Sequence, residues 1–293
     1  EELIISFGKS DLTGRISIDW LDTPYVDLDL ESKYLYMPYF FPSLESIDEK
    51  VFDVVAGDMA QYEDELTEEE LSERLIEDRA LSTSWMDLFE GEFTLNADDV
   101  FFSRDVTMDI DVDITIKDGS LISRQLIWRG EAFKGEADLE IYRQEIGTRY
   151  LLDIDSTRLP LFWLFSGDHD PEADSAYRAS LTSTGDSIAD LLGNLEGKFL
   201  FKSGGAKLHT NQLDTFFGDF FSQTTRRLFG RQKKFVQVAC NSGAMNINHG
   251  ELELNPGVVL RTDSVDIFIR GKVDLVEESL ALVLNTRSSP DYS

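Results

Sequence analysis

The chain has 293 residues, 42% of them hydrophobic, which is enough to build a sizeable core in one large or two ordinary domains. Its 56 acidic residues against 27 basic ones leave a formal net charge of −29, which repels phosphate backbones and anionic headgroups and argues against nucleic acid as a partner. One cysteine, Cys240, cannot form an intrachain disulfide, and no apolar run reaches membrane-spanning length.

The chain opens Glu1-Glu2-Leu3-Ile4-Ile5, without an initiator Met, a basic leader or a cleavage site, and is expected to be part of a longer protein. Ile16, Ile18 and Trp20 alternate with Arg15, Ser17 and Asp19, and Val26, Leu28 and Leu30 with Asp27 and Asp29. Period-two alternation of this kind predicts half-buried strands. Thr67-Glu-Glu-Glu70 then reads as a capping box opening a charged helix to about Ala80, with Leu71, Leu75 and Ile76 on one side. This helix divides the chain into a β segment over 1–60, an acidic helical insert over 61–84 and a β module over 85–293.

The longest alternation follows, with Val106, Met108, Ile110, Val112, Ile114 and Ile116 set against Thr107, Asp109, Asp111, Asp113 and Thr115. As a strand it runs roughly 36 Å, whereas a helix would scatter these side chains around its circumference. Asp186 or Ser187 can cap a short helix through Leu192. From 212 to 229, Leu213, Phe216, Phe217, Phe220 and Phe221 fall at helical spacing and form one apolar stripe, followed by Arg226, Arg227, Arg231, Lys233 and Lys234. That stripe packs on the sheet and closes one end, or else touches an apolar groove or a membrane. Val265, Ile267, Ile269, Val273 and Leu275 share a parity with Gly271. Turn chemistry at Lys117-Asp118-Gly119, Asn255-Pro256-Gly257 and Glu277-Glu278-Ser279 predicts hairpins, so sequential strands are expected to pair antiparallel with one wet face.

Tyr150-Leu-Leu-Asp153-Ile-Asp155-Ser-Thr157 is similar to the DxDx(T/V) string of haloacid-dehalogenase-type phosphatases, which implies Asp153 as nucleophile and Asp155 as general acid or base. That chemistry needs the end of a buried parallel strand and a distant acidic Mg²⁺ pair, and Gly167-Asp168-His169-Asp170 follows too soon to supply it. A wet strand face, with Leu152 and Ile154 on the dry side, accounts for both aspartates. Asp109, Asp111 and Asp113 resemble the start of an EF-hand loop, but Ile114 stands where the sharp turn needs Gly and Ser120 where the loop needs Glu. His169, His209 and His249 lack zinc spacing and sit in turn-like contexts, and Cys240 reads as a small buried side chain. Neither a catalytic set, nor a metal site, nor a cofactor is expected.

Ser6-Phe-Gly-Lys-Ser-Asp-Leu-Thr-Gly-Arg-Ile-Ser-Ile-Asp19 followed by Pro24-Tyr-Val-Asp-Leu-Asp-Leu-Glu-Ser-Lys-Tyr-Leu35 resembles a repeat unit of the AsmA family. Leu181-Thr-Ser-Thr-Gly185-Asp-Ser187 through Leu195-Glu-Gly197 is similar to that family's C-terminal segment. Cys240, Asn246-Ile-Asn-His-Gly250, Leu260-Arg-Thr262 and Ile269-Arg-Gly271-Lys-Val-Asp-Leu275 through Leu280 resemble its closing strands. The pieces fall in the family's order, and only 50–84 matches nothing in it. The resemblance implies a mainly β protein, a long curved antiparallel sheet forming an apolar groove with a few short helices. It further implies a periplasmic location, an inner-membrane anchor preceding this chain, and phospholipid transport in outer-membrane biogenesis, without catalytic residues.

An apolar sheet face left wet costs about 25 cal/mol per Å², so helices, a second sheet or a ligand must cover it. The predicted helices are few. Lipid acyl chains are therefore the expected partner, lined by Val106, Met108, Ile110, Val112, Ile114, Ile116, Val265, Ile267 and Ile269. The alternative is a scaffold that binds envelope proteins by edge-strand pairing or through the Phe stripe.

Overall fold

The computed structural model describes residues 2–7, 10–20, 22–37, 79–103, 106–130, 134–145, 147–157, 176–209, 235–262 and 265–288. They build one large, curved, open sheet with very few helices. Its strands are β1 (Glu2–Phe7), β2 (Ser10–Asp19), β3 (Tyr25–Ser32), β4 (Leu35–Tyr36), β5 (Glu90–Ser103), β6 (Val106–Lys117), β7 (Ser120–Arg129) and β8 (Lys134–Arg143). There follow β9 (Thr148–Thr157), β10 (Ala176–Thr184), β11 (Glu196–Ser203), β12 (Ala206–His209), β13 (Phe235–Asn248), β14 (Glu251–Thr262), β15 (Val265–Asp274) and β16 (Ser279–Ser288). Fourteen of these lie side by side in chain order from β1 to β16, with β4 paired to β5 and β12 to β13 off that path. The mainly β, antiparallel fold expected from the alternation is the one found.

Two pairings depart from that expectation, since β3 and β4 both run parallel to β5. Leu28 stands opposite Phe93 and Leu30 opposite Leu95, so the sheet passes across the interval in which the insert was placed. A parallel pair needs a crossover rather than a tight turn, and the long interval between β4 and β5 provides the chain length for one. The capping-box helix at 67–78 and the Phe-bearing helix at 212–229 lie outside the described residues. Ala80 is described and forms an isolated antiparallel bridge with Ser187, not a helical turn.

Local chemistry explains the remaining elements. Asp118 and Gly119 both take positive φ, at 51° and 67°, as a two-residue hairpin between β6 and β7 requires. Asn255-Pro256-Gly257, expected to make a hairpin, lies instead within β14, where the register against β15 slips between Leu254 and Val258. Proline has no N–H for the ladder and is accepted at such a bulge, so turn-forming residues here bend a strand without reversing it. The helix α1 (Ile188–Gly193) is capped by Ser187, whose hydroxyl accepts from the Asp190 N–H at 3.2 Å.

Among the described residues the turns after β2, β6, β8, β13 and β15, together with α1, lie at one end of the sheet. There the main chain is knitted crosswise: the Leu81 N–H donates to the Asp186 carbonyl at 2.7 Å, the Ile188 N–H to Arg79 at 2.9 Å, the Gly250 N–H to Leu195 at 3.0 Å and the Glu90 N–H to Pro24 at 2.9 Å. At the opposite end Asp11 ties β2 to the β3–β4 corner. Its carboxylate accepts from the Tyr34 N–H at 2.8 Å, the Lys33 N–H at 3.1 Å and the Ser32 hydroxyl at 3.2 Å. These bonds, Tyr34 first, hold its pKa below the ordinary carboxylate value. A depressed folded pKa means the stabilisation is present above the ordinary carboxylate range and is lost as pH falls through the folded value. The protection factors of the Lys33 and Tyr34 amides, taken relative to intrinsic exchange at each pH, should therefore fall on acidification, and Asp11→Ala should show the low protection already at neutral pH.

Candidate functional site

The sheet sorts its side chains into two faces, and the register shows how far each extends. One unbroken row of cross-strand partners runs Ser32, Ala97, Ile110, Trp128, Gly135, Ser156, Tyr177, Phe201, Gly243, Val258, Ile269 and Leu284, from β3 to β16. Ile110 and Ile269, far apart in the chain, thus share one face. Large rings fill the space left by glycine along it: a Cβ on Gly135 would fall 2.4 Å from the Trp128 ring and one on Gly243 2.4 Å from the Phe201 ring. Tyr177, Phe199 and Phe201 form a tilted aromatic series, with centroids 6.5 and 5.9 Å apart.

Burial on this face is uneven. Three clusters are closed: Leu35, Ala97 and Val100; Met86, Ile116 and Leu121; and Val238, Leu254, Leu260, Ile267 and Ile269. Between them Val112, Leu126, Leu152, Ile154 and Leu181 are only half-buried. Apart from hydrogen-bonded neighbour strands, the substantial contacts between described elements are α1 against β10 and β2 against β4. No second layer of described residues covers the middle of the face.

The predicted lining residues divide accordingly. Met108, Ile110, Val112 and Ile114 are half-buried on the apolar face, whereas Ile116, Ile267 and Ile269 are buried in the clusters at its flanks. The side chains of Val106 and Val265, and the whole stripe of Leu213, Phe216, Phe217, Phe220 and Phe221, lie outside what is described. Of the central residues of β9 to β11, sequence placed Leu152 and Ile154 on the dry side of a strand but assigned none to the lining. Their alternation was legible, but only the register reveals that they continue the face.

Polar groups also stand on the apolar side. Ser203 and Asn241 are register partners on β11 and β13, and the Ser203 Oγ and Asn241 Oδ1 are buried without hydrogen-bond partners. Toward α1, Thr148 donates to Asp186 at 2.9 Å and shares a 3.0 Å hydroxyl contact with Thr83, while the Ser183 hydroxyl donates to the Leu191 carbonyl at 2.6 Å. Burial beside this knot, reinforced by the Asp186 charge, pushes the Tyr150 phenol above its ordinary pKa.

The opposite face is acidic and wet, and some of its charges are paired across strands. Arg129 meets Asp111, Lys272 meets Glu251 at 2.6 Å, and Arg124 meets Glu92 at 3.4 Å. Asp111 also accepts from the Asn96 amide, and among the described residues no group of three or more His, Cys, Asp or Glu is placed to hold a metal ion. Asp153 is exposed opposite Asp138 and Ser180, and Asp155 accepts from the Arg178 Nε–H at 2.9 Å. β9 is antiparallel to both neighbours, so it does not offer the buried parallel strand end that the phosphatase string requires.

The remaining candidates are placed as follows. His249 sits in the β13–β14 turn, 3.3 Å from Glu196, whereas His209 ends strand β12 rather than occupying a turn. Cys240 is half-buried, not buried, because the β13 irregularity after Val238 puts it opposite Arg261 on the wet side. No family model, curated protein or solved structure matches the chain.

Proposed function

We propose that the apolar face holds lipid acyl chains, in a non-enzymatic groove module that binds or conducts phospholipid. The observation that carries this reading is the mainly apolar face whose register row runs unbroken across twelve strands, with a half-buried middle that no described element covers. Apolar surface of that extent needs a cover, and flexible hydrocarbon suits a long, gently curved surface with aromatic rings better than a compact polar ligand does. The AsmA-like repeat and closing segments support the same reading, and with it a periplasmic site of action in an inner-membrane-anchored protein of outer-membrane biogenesis. A sheet of paired antiparallel strands with salt-bridged aspartates is in keeping with a carrier rather than a catalyst.

The test is direct. The protein purified without detergent should carry phospholipid that mass spectrometry identifies after organic extraction. A folded, monomeric, lipid-free protein would sink the proposal.

A second reading rests on β16. The stretch Ser279–Thr286 at this sheet edge carries no charge, and Val283 is 59% exposed. Natural edges are ordinarily blunted by charge or proline, so β16 suits pairing with a strand of another envelope protein. Pull-down of envelope proteins without lipid, lost in Val283→Lys, would favour this scaffold role.

A further inference from the structure

β16 ends the sheet, yet it is composed as an interior strand is. Natural edge strands are protected by charged side chains, proline, a bulge or a covering element. None of these protects β16. Its stretch Ser279–Thr286 includes neither charge nor proline, as in β13, which carries no charge along its whole length and is paired on both sides. Its ladder with β15 runs from Val265 with Ser288 to Asp274 with Ser279 without a register shift, whereas β14 slips against both of its neighbours. Nothing lies over it either: eight of its 10 residues are exposed and none is buried, with Leu280 69% and Val283 59% exposed. The outer N–H and C=O groups of such a strand form a row of donors and acceptors open to another strand.

The strand is also complementary to itself. Set antiparallel about Leu282, it places Leu280 opposite Leu284 of a second copy and Leu282 opposite its own equivalent, all on the face of their β15 partners Val273, Gly271 and Ile269. On the other face Ala281 meets Val283 and Ser279 meets Asn285. The charges at the two ends match as well, because Glu277 in the preceding turn falls beside Arg287 of the second copy, and this pair occurs twice. An in-register parallel pair would instead set Arg287 against Arg287 and Glu277 against Glu277. A twofold axis through Leu282 and normal to the sheet keeps like faces together, since each residue then meets one of its own parity. Such a contact is isologous and closes at two copies.

We infer that a second copy of this chain pairs along β16, antiparallel and centred on Leu282, so that two sheets join into one and their apolar faces become continuous. The inference deepens the edge-pairing reading of β16 by naming its partner. It also lengthens the surface that the acyl-chain reading assigns to lipid, without depending on that reading. Ladder hydrogen bonds and the covering of Leu280 and Val283 supply the affinity, and the two exposed ion pairs fix the register, since pairs of that kind add little to stability.

The experiment is sedimentation velocity of the whole chain over a concentration series, in salt high enough to screen the repulsion between two chains of net charge −29. A monomer–dimer equilibrium is expected. Val283→Lys sets an ammonium group at the seam twice and should weaken the dimer roughly tenfold or more, with circular dichroism confirming the fold, because Val283 is exposed in the single chain. Cross-linking tests the register: in a Cys240→Ser background, Leu282→Cys should form an intermolecular disulfide under mild oxidation, since the two residues face each other within disulfide reach, and Ser279→Cys should form none. A chain that stays monomeric at every concentration, a dimer that Val283→Lys leaves intact, or cross-linking through Ser279→Cys and not through Leu282→Cys each overturns the inference. Open-ended oligomers overturn it too, because they join two different edges. Monomeric protein that retains phospholipid would overturn the inference and leave the acyl-chain reading standing, and monomeric protein that captures envelope proteins through β16 would leave the scaffold role standing with another partner. A dimer without extractable lipid would support the inference while the acyl-chain reading fails.

Discussion

Two single substitutions on the same face, Ile267→Asp and Val112→Asp, should have opposite consequences. Ile267 is 0% exposed and packs with Val238, Leu254, Leu260 and Ile269. A carboxylate there has no partner and no water, a cost on the order of 4 kcal/mol or more, set against a total stability of about 5–15 kcal/mol. Thermal and urea unfolding followed by circular dichroism should show the β13–β16 flank lost or the whole protein unfolded. Val112 is half-buried between Leu95 and Leu126 in register and belongs to none of the three closed clusters. The same carboxylate there reaches water when the face is empty and should cost only about 1 kcal/mol. It should nevertheless strip bound lipid, because a filled face would bury the charge in hydrocarbon. Full lipid retention by folded Val112→Asp would mean that the acyl chains lie elsewhere.

That contrast marks how far the sequence could be read. Alternation from Val106 to Ile116 identifies a strand and its apolar side, because side chains of a strand alternate whatever lies next to them. It cannot tell a residue sealed in a cluster from one on the open middle, since both are isoleucine or valine of the same parity. Ile267 and Val112 differ only in what packs over them. Burial depends on register and on the short elements at the ends, such as the 3-10 turn that brings Met86 over Ile116 and Leu121.

Pairing partners were legible where turns are short and illegible where they are long. Asp118-Gly119 demands positive φ at two successive residues and so dictates β6 against β7. The parallel β3–β5 pair has no such local signature. At Asn255-Pro256-Gly257 the turn residues pointed to a hairpin, yet Leu252, Leu254, Val258, Leu260 and Thr262 keep one parity straight through it. A reversal has no reason to preserve parity, so that unbroken count was the available sign of a bulged continuous strand. The exposure of Trp20 was hidden for a related reason: it fits the alternation of β2 but stands one residue past its end.

Gly271→Ala should be the most damaging conservative change in the closing strands. Gly271 lies on the apolar face between Leu254 and Leu282 with φ of 142°, a conformation that L residues rarely adopt. A Cβ there would fall 2.0 Å from the Ala281 carbonyl oxygen of the neighbouring strand, a backbone atom with no rotamer by which to withdraw. One strand must move to admit a methyl group, breaking ladder bonds between β15 and β16 beside the closed Ile267 cluster. Strain and lost bonding together should cost about 3 kcal/mol. The expected result is a lower unfolding midpoint, with amide protection lost first in Val265–Asp274 and Ser279–Ser288. Alanine at Gly193, where an added Cβ meets only the Val276 methyl at an ordinary 3.5 Å, is the matched control and should leave that protection intact. Equal midpoints for the two variants would show that the β15–β16 pairing does not depend on the close approach at Gly271.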